Sequence, residues 1–249
     1  SAASDVYKRQ AGAGVRMSTR VTEWMATRVT EYASRLTRRS LARQPSAIRA
    51  LQPLVAQPGM ISLGGGMPNP STFPFTKITA SLRDGSEIEL GGARLEASLQ
   101  YSPTLGLPSL RAHLQALQEA EHGVTGRQVC VTTGSADALS KAFDALLDEG
   151  DALLVESPTY SGSLAYLRPI GCQLVGVRCD ADGLDPSHLE EVLAGWHEGC
   201  NGGRRRPRVL YTIPTGGNPT GASLSLARRQ RVYEVARTYD LLILEDDPY

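Results

Sequence analysis

From residue 128 onward the chain alternates between two hydrophobic periods. Short apolar runs at 128–133 (QVCVTT), 152–156 (ALLVE), 173–178 (QLVGVR), 208–213 (RVLYTI) and 241–245 (LLILE) predict strands. Between them, 135–147, 161–168, 186–196 and 225–239 have helical spacing, with Asp185 and Ser225 as N-caps of the last two. Strands alternating with helices of about 10–15 residues predict βαβ units, a mostly parallel sheet and helices on both of its faces. The fold class is therefore α/β. Ligands of such sheets bind at the carboxyl ends of the strands.

Upstream the pattern changes. Leu107, Leu110, Leu114 and Leu117 predict a helix over 107–122, with Pro108 in its first turn and Gly123 after its end. Residues 45–76 are rich in Pro and Gly and read as an extended, turn-rich arm. Residues 77–100 are weakly patterned. The expected domains are a basic N-terminal segment (1–44), an arm with the start of a small domain (45–100), and a partial large domain (101–249).

Composition narrows the class. Of 249 residues, 41% are hydrophobic and 21% charged, as in a folded globular protein. The 26 basic and 26 acidic side chains cancel, giving no electrostatic case for nucleic acid. No apolar run approaches the roughly 18 residues of a membrane span. Cysteines at 130, 172, 179 and 200 form no C-x-x-C pair, and no histidines are spaced near them. We therefore expect free thiols and no metal site.

The neutral total hides an asymmetry. Residues 1–49 carry ten basic and three acidic side chains, and they are rich in Ser, Thr and Ala. That is the composition of a mitochondrial transit peptide, or of a solvated basic helix, so mitochondrion and cytoplasm both stay open. A near-repeat, TRVTEW (19–24) and TRVTEY (27–32), is too short and local for a solenoid. The start at Ser1 and not Met leads us to read SAASDVYKRQ (1–10) as an artefact such as translation read-through, outside the fold. The stop at Tyr249, directly after an apolar run, leads us to expect a fragment of a longer chain.

Four segments combine into a site. V-T-T-G-S-A-D (131–137) runs through Gly134 into a helix start, whose free N–H groups suit an anion; the plain alternative is an N-cap by Ser135. E-S-P-T-Y-S-G (156–162) offers Tyr160 as a flat ring for stacking, or simply for packing. P-T-G-G-N-P-T-G (214–221) is a tightly constrained turn in which Pro219 restricts Asn218, or else an ordinary polar loop. E-D-D-P-Y (245–249) gathers carboxylates at a strand end, where Asp246 and Tyr249 face one ligand or form a solvated acidic turn. A phosphate cradle, a stacking ring, an amide, a carboxylate and a phenol at successive strand ends are what pyridoxal phosphate requires, because its ring works as an electron sink.

These motifs resemble the fold-type I, class I/II aminotransferases. P-S-A-I-R (45–49), I-S-L-G-G-G-M-P-N-P (61–70), L-Q-Y-S-P-T-L-G-L-P-x-L (99–110) and Y-S-G (160–162) are similar to the kynurenine/2-aminoadipate aminotransferases in particular. The resemblance runs from about residue 30 to 249. It implies a large pyridoxal-phosphate-transferase domain with a mostly parallel sheet and flanking helices, an N-terminal arm, and a C-terminal small domain missing from this chain. It also implies transfer of an amino group to 2-oxoglutarate in a homodimer. Ser135 and the Ala136 backbone would bind the cofactor phosphate, and Tyr160 would stack on the ring. Asn218 and Tyr249 would contact its phenolic oxygen, and Asp246 its pyridine nitrogen. Tyr101 would reach the phosphate across the dimer. Arg49, Gly66 and Met67 would line the substrate pocket.

Two departures stand out. The family usually has Gln after the G-S pair, where this chain has Ala136 and Asp137. The Schiff-base lysine follows the E-D-D-P-Y motif in the family, and the only lysines here are Lys8, Lys77 and Lys141, none at a matching position. The chain by itself is therefore expected to be inactive. Two alternatives keep the cofactor and drop the reaction: a non-catalytic paralogue, and a transcription regulator with an aminotransferase-like domain. The regulator requires a winged helix–turn–helix that residues 1–44 do not show.

Overall fold

A computed structural model describes residues 32–44, 46–55, 57–61, 66–197 and 201–249. The chain divides into two compact units, Ser1–Leu36 and Thr37–Tyr249. In the first, the described residues form one 3-10 turn, Ala33–Arg35; the near-repeat lies outside them.

The second unit opens with one-turn helices α1 (Arg38–Leu41), α2 (Ala47–Ala50) and α3 (Gln52–Val55). The arm expected over 45–76 is therefore partly helical. Thr37 caps α1, its Oγ1 accepting from the Ser40 N–H at 3.1 Å. Strands β1 (Lys77–Ser81) and β2 (Glu87–Gly91) form an antiparallel hairpin, followed by α4 (Gly92–Leu99). The weak patterning of 77–100 conceals these elements, although Asp84-Gly85 at the turn is a hairpin signal.

Helix α5 (Pro108–His122) ends as expected at Gly123, which takes the left-handed φ of 63° that glycine tolerates. Its leucine stripe is not buried: Leu107, Leu110 and Leu117 are all exposed. Residues 128–133 do not form the expected strand. No neighbouring strand pairs with them among the described residues. Instead Val131 donates its N–H to Leu105 O (2.9 Å), Arg111 Nε donates to Val129 O (2.7 Å) and Gln115 Nε2 to Arg127 O (2.7 Å).

The remaining elements follow the predicted alternation. Helix α6 (Ser135–Leu146) leads to β3 (Ala152–Ser157), α7 (Ser161–Ile170), β4 (Gln173–Asp180) and the two-residue β5 (Gly183–Leu184). Then come α8 (Pro186–Ala194), β6 (Val209–Thr212), α9 (Leu226–Thr238) and β7 (Leu242–Glu245). Asp185 and Ser225 cap α8 and α9 as expected. The sheet order is β5-β4-β3-β6-β7, parallel except for the β4–β5 pair.

Period-two alternation sorts the sheet's side chains into two cores. Leu154, Val177 and Leu210 pack with Leu189 and Leu193 of α8 and Val232 and Val235 of α9. On the other face Leu153, Val155, Val209 and Tyr211 pack with Phe143 of α6 and Leu167 of α7. Burying a fully enclosed Leu, Val or Phe is worth about 1.5–3 kcal/mol each. Two filled faces therefore hold β3 and β6 rigidly, and with them the turns at their carboxyl ends.

Candidate active site

Three turns stand at adjacent carboxyl ends: 158–160 after β3, 213–224 after β6 and 246–249 after β7. The start of α6, the fourth predicted segment, is a coil-to-helix junction and not a strand end.

At that junction Gly134 is the N-cap, with φ 139° and ψ 170°, and Ser135 is the first helical residue. Ser135 therefore does not cap the helix, and it is exposed together with Ala136. The first-turn N–H groups of a helix lack intrahelical partners and carry the positive end of its dipole. Asp137 bridges the junction: its carboxylate accepts from the Thr133 N–H at 3.2 Å and pairs with Lys141. The Lys141 hydrogen bond, helped by the Thr133 N–H, holds the Asp137 carboxyl below the usual carboxylate range.

After β3, Tyr160 is half-buried and precedes α7. Its ring lies over Gly162, where a Cβ would overlap it. The adjacent Thr159 Oγ1 is buried and has no hydrogen-bond partner. Glu156, 6% exposed, accepts at Oε1 from Thr212 Oγ1 (2.5 Å) and the Ile213 N–H (3.2 Å). Burial pushes its carboxyl pKa up, against those two hydrogen bonds.

After β6 the chain closes on itself. Leu224 N–H donates to Pro214 O (2.9 Å), Gly217 N–H to Ala222 O (2.7 Å) and Gly216 N–H to Ser223 Oγ (2.9 Å). Half-buried Asn218 stands within this loop, before a cis Asn218–Pro219 bond. Arg229 of α9 ties the loop down. Its Nη2 donates to Pro214 O (3.2 Å) and Thr215 Oγ1 (2.9 Å), its Nε to Leu224 O (3.1 Å), and its Nη1 lies 3.5 Å from Glu245 Oε1.

After β7, half-buried Asp246 donates its N–H to Thr212 O (3.0 Å) and accepts from the Tyr211 hydroxyl at Oδ2 (2.9 Å). The Tyr249 ring packs against Gly216, its nearest atom 3.2 Å from where a Cβ would stand. The structure thus brings Asp246, Tyr249 and the Asn218 loop together. No hydrogen bond or ion pair among the described residues ties Tyr101, Gly66 or Met67 to this edge; Tyr101 and Met67 are exposed. The Arg49 side chain lies outside the described residues. Sequence reasoning missed Tyr211, Ser163, Arg229 and Glu156.

A family model described as aminotransferase class I and II matches residues 60–249. The mitochondrial kynurenine/alpha-aminoadipate aminotransferase of Bos taurus is 39% identical over 231 residues, covering 88% of this chain and 54% of that protein. The crystal structure of aminotransferase Aro8 from Candida albicans aligns with TM-score 0.80 and 34% identity, over 88% of this chain and 50% of that one. LysN from Thermus thermophilus, an alpha-aminoadipate aminotransferase solved with N-(5'-phosphopyridoxyl)-L-leucine, is 38% identical with TM-score 0.53, over 63% of this chain and 37% of its own. The chain thus spans about half the length of the curated relatives it matches. With this match over most of its length, and with the same α/β fold, the chain belongs to the class I and II aminotransferase family.

Proposed function

We propose that the whole protein carrying this chain is a pyridoxal-phosphate-dependent aminotransferase that moves the amino group of kynurenine or 2-aminoadipate to 2-oxoglutarate. The observation that carries the reading is the juxtaposition of Asp246, held by Tyr211, with the Asn218 loop and Tyr249. The residues fit the cofactor in three ways. The buried, unpartnered Thr159 Oγ1 stands beside Tyr160 at the same edge. Gly134 and the exposed first turn of α6 leave open space for a phosphate. The donor set of carboxylate, amide and phenol matches a protonated pyridine with an anionic phenolic oxygen.

When bound, the cofactor supplies an electron sink for the carbanion formed at the amino acid's α-carbon. The rest of the work belongs to the protein. Ser135 and the Ala136 N–H hold the phosphate. Tyr160 covers one face of the ring. Asn218 and Tyr249 donate to the phenolic oxygen, and the Asp246 carboxylate keeps a proton on the ring nitrogen. Arg49, Gly66 and Met67 line the amino-acid pocket. Tyr101, together with the exposed stripe of Leu107, Leu110 and Leu117, serves a homodimer in which Tyr101 reaches the partner's phosphate. We divide the chain as a basic segment (1–44), an arm (45–100) and the cofactor domain (101–249).

The described lysines are engaged elsewhere, Lys77 with Glu89 at 2.5 Å and Lys141 with Asp137, which supports the reading that these 249 residues alone are inactive and that the attaching lysine lies outside them. The Bos taurus relative is a mitochondrial aminotransferase, which supports a mitochondrial location.

The test is borohydride reduction of the full-length native protein, with peptide mapping and transamination assays on both donors. A pyridoxyl group on a lysine outside residues 1–249, with 2-oxoglutarate-dependent turnover, is expected. A protein with neither adduct nor turnover overturns the reading.

A further inference from the structure

Tyr211 is fully buried, yet its hydroxyl uses both its lone pair and its proton. Ser163 Oγ donates to it at 2.9 Å, and it donates to Asp246 Oδ2 at 2.9 Å. Ser163 is itself 3% exposed. A tyrosine that only fills a core needs one partner for its hydroxyl. Here the donor behind it leaves the phenolic proton one direction, toward Asp246.

Strand register explains the meeting. Tyr211 pairs with Leu244 across β6 and β7. Asp246 lies two residues past Leu244, so it falls on the same face of the sheet, within reach of a long side chain. The Asp246 backbone is fixed as well, its N–H bonded to Thr212 O. The ring of Tyr211 is clamped in turn: Phe143 of α6 meets it edge-on, centroids 5.4 Å apart at 77°. Phe143 belongs to the helix whose first turn is the phosphate candidate. One packed unit thus links the two ends of the site. Burial and the neighbouring Asp246 carboxylate drive the Tyr211 phenol pKa far above its ordinary value, so it stays a neutral donor throughout the working pH range.

We propose that Tyr211, backed by Ser163, is a positioning residue that orients the Asp246 carboxylate toward the ring nitrogen of the cofactor. This rests on the cofactor reading above. With Oδ2 engaged by Tyr211, no hydrogen bond reaches Oδ1 among the described residues, and Oδ1 is the oxygen that meets the ring. A phenol-held carboxylate keeps one rotamer; a carboxylate without that donor swings and shares its charge with water.

The experiment uses the full-length protein with Tyr211→Phe, Ser163→Ala and, as the reference for a lost carboxylate, Asp246→Asn. Tyr211→Phe keeps the ring against Phe143 and removes only the hydroxyl. Two quantities are read: the dissociation constant of added pyridoxal phosphate, and the pH at which the bound cofactor's absorbance changes. Melting of the cofactor-free protein reports folding. A hydrogen bond to a charged group is worth enough to weaken binding about tenfold when lost. Tyr211→Phe should show that loss and an upward shift of the spectral midpoint, in the direction of Asp246→Asn but smaller. A less firmly held ring proton makes the ring a weaker electron sink, so the nitrogen attached to the cofactor keeps its own proton to higher pH. Ser163→Ala, which retains Tyr211, should move the midpoint the same way by less, and it stands in if Tyr211→Phe does not fold. A midpoint unchanged from wild type in a folded Tyr211→Phe overturns the proposal and leaves the cofactor reading intact, as does an unchanged Ser163→Ala when Tyr211→Phe is unfolded. A wild-type protein that binds no pyridoxal phosphate overturns both.

Discussion

The buried Glu156 carboxylate accepts a 2.5 Å hydrogen bond from Thr212 Oγ1 and so joins the carboxyl ends of β3 and β6. The same oxygen takes the Ile213 N–H, the first backbone group of the Asn218 loop. Burial raises the Glu156 pKa in the folded state, so folding favours its proton. The stabilising contribution is full below the unfolded carboxylate value and is lost as pH rises through the higher folded value. Glu156→Gln keeps an acceptor and never ionises. It should flatten the dependence of stability on pH just above the ordinary carboxylate range and melt no lower than wild type at neutral pH. Glu156→Ala should cost about 1–3 kcal/mol by orphaning the Thr212 hydroxyl and the Ile213 N–H. Denaturant unfolding across pH checks both, and an unchanged slope in Glu156→Gln would refute the linkage.

Arg229 determines where the Asn218 loop sits. Its guanidinium spans Pro214 O, Thr215 Oγ1, Leu224 O and the Glu245 carboxylate, a fork that a lysine ammonium does not reproduce. Arg229→Ala and Arg229→Lys should both weaken pyridoxal phosphate binding about tenfold or more, through one or two lost hydrogen bonds. Both should also make 214–224 more sensitive to limited proteolysis. If lysine restores wild-type affinity, the positive charge is what matters and the fork is not.

Much of this architecture was legible in the sequence, for a physical reason. The runs in β3 and β6 are buried on both faces of a parallel sheet, so they read as continuous apolar stretches flanked by helical periods. Asp185 and Ser225 were readable because capping is local chemistry. Residues 128–133 misled because their β-branched residues signal a strand, whereas a strand also needs a partner. Ser135, Tyr160, Asn218, Asp246 and Tyr249 could be singled out because each lies in a constrained motif. Tyr211 could not: in the run V-L-Y-T it reads as core, and only the register with Leu244 delivers its hydroxyl to Asp246. Arg229 stands beside Arg228 in a basic helix, and nothing local separates them. Arg228 turns the other way, to Asp180 and Gly183 O.

The Tyr160 ring rests on Gly162 because that position has no side chain. Gly162→Ala adds a Cβ where the ring lies, and the ring, being the free end of a side chain, moves aside. Stability should hold or rise, since Ala is favoured over Gly in a helix by about 0.5–1 kcal/mol. Cofactor affinity should fall, and the visible absorbance of the bound cofactor should shift as its stacking partner moves. Loss of stability with unchanged affinity would show that Tyr160 is a packing residue only.

Gly106 anchors the coil that replaced the expected strand. It adopts φ 101°, and a Cβ there would stand 2.7 Å from the Val131 Cβ, with no flexible end to give way. Leu105 O, next to it, accepts the Val131 N–H at 2.9 Å. Gly106→Ala therefore combines backbone strain with a rigid overlap, and it should destabilise the protein by about 1–3 kcal/mol. Gly126 provides the control: its φ is 75°, but a Cβ there meets nothing within 4 Å. Gly126→Ala should carry the strain alone and cost less than Gly106→Ala. Hydrogen exchange at the Val131 amide separates the two, speeding up in Gly106→Ala and staying protected in Gly126→Ala. Equal losses in both variants would mean that the Val131 contact contributes nothing and that the left-handed backbone accounts for the whole effect.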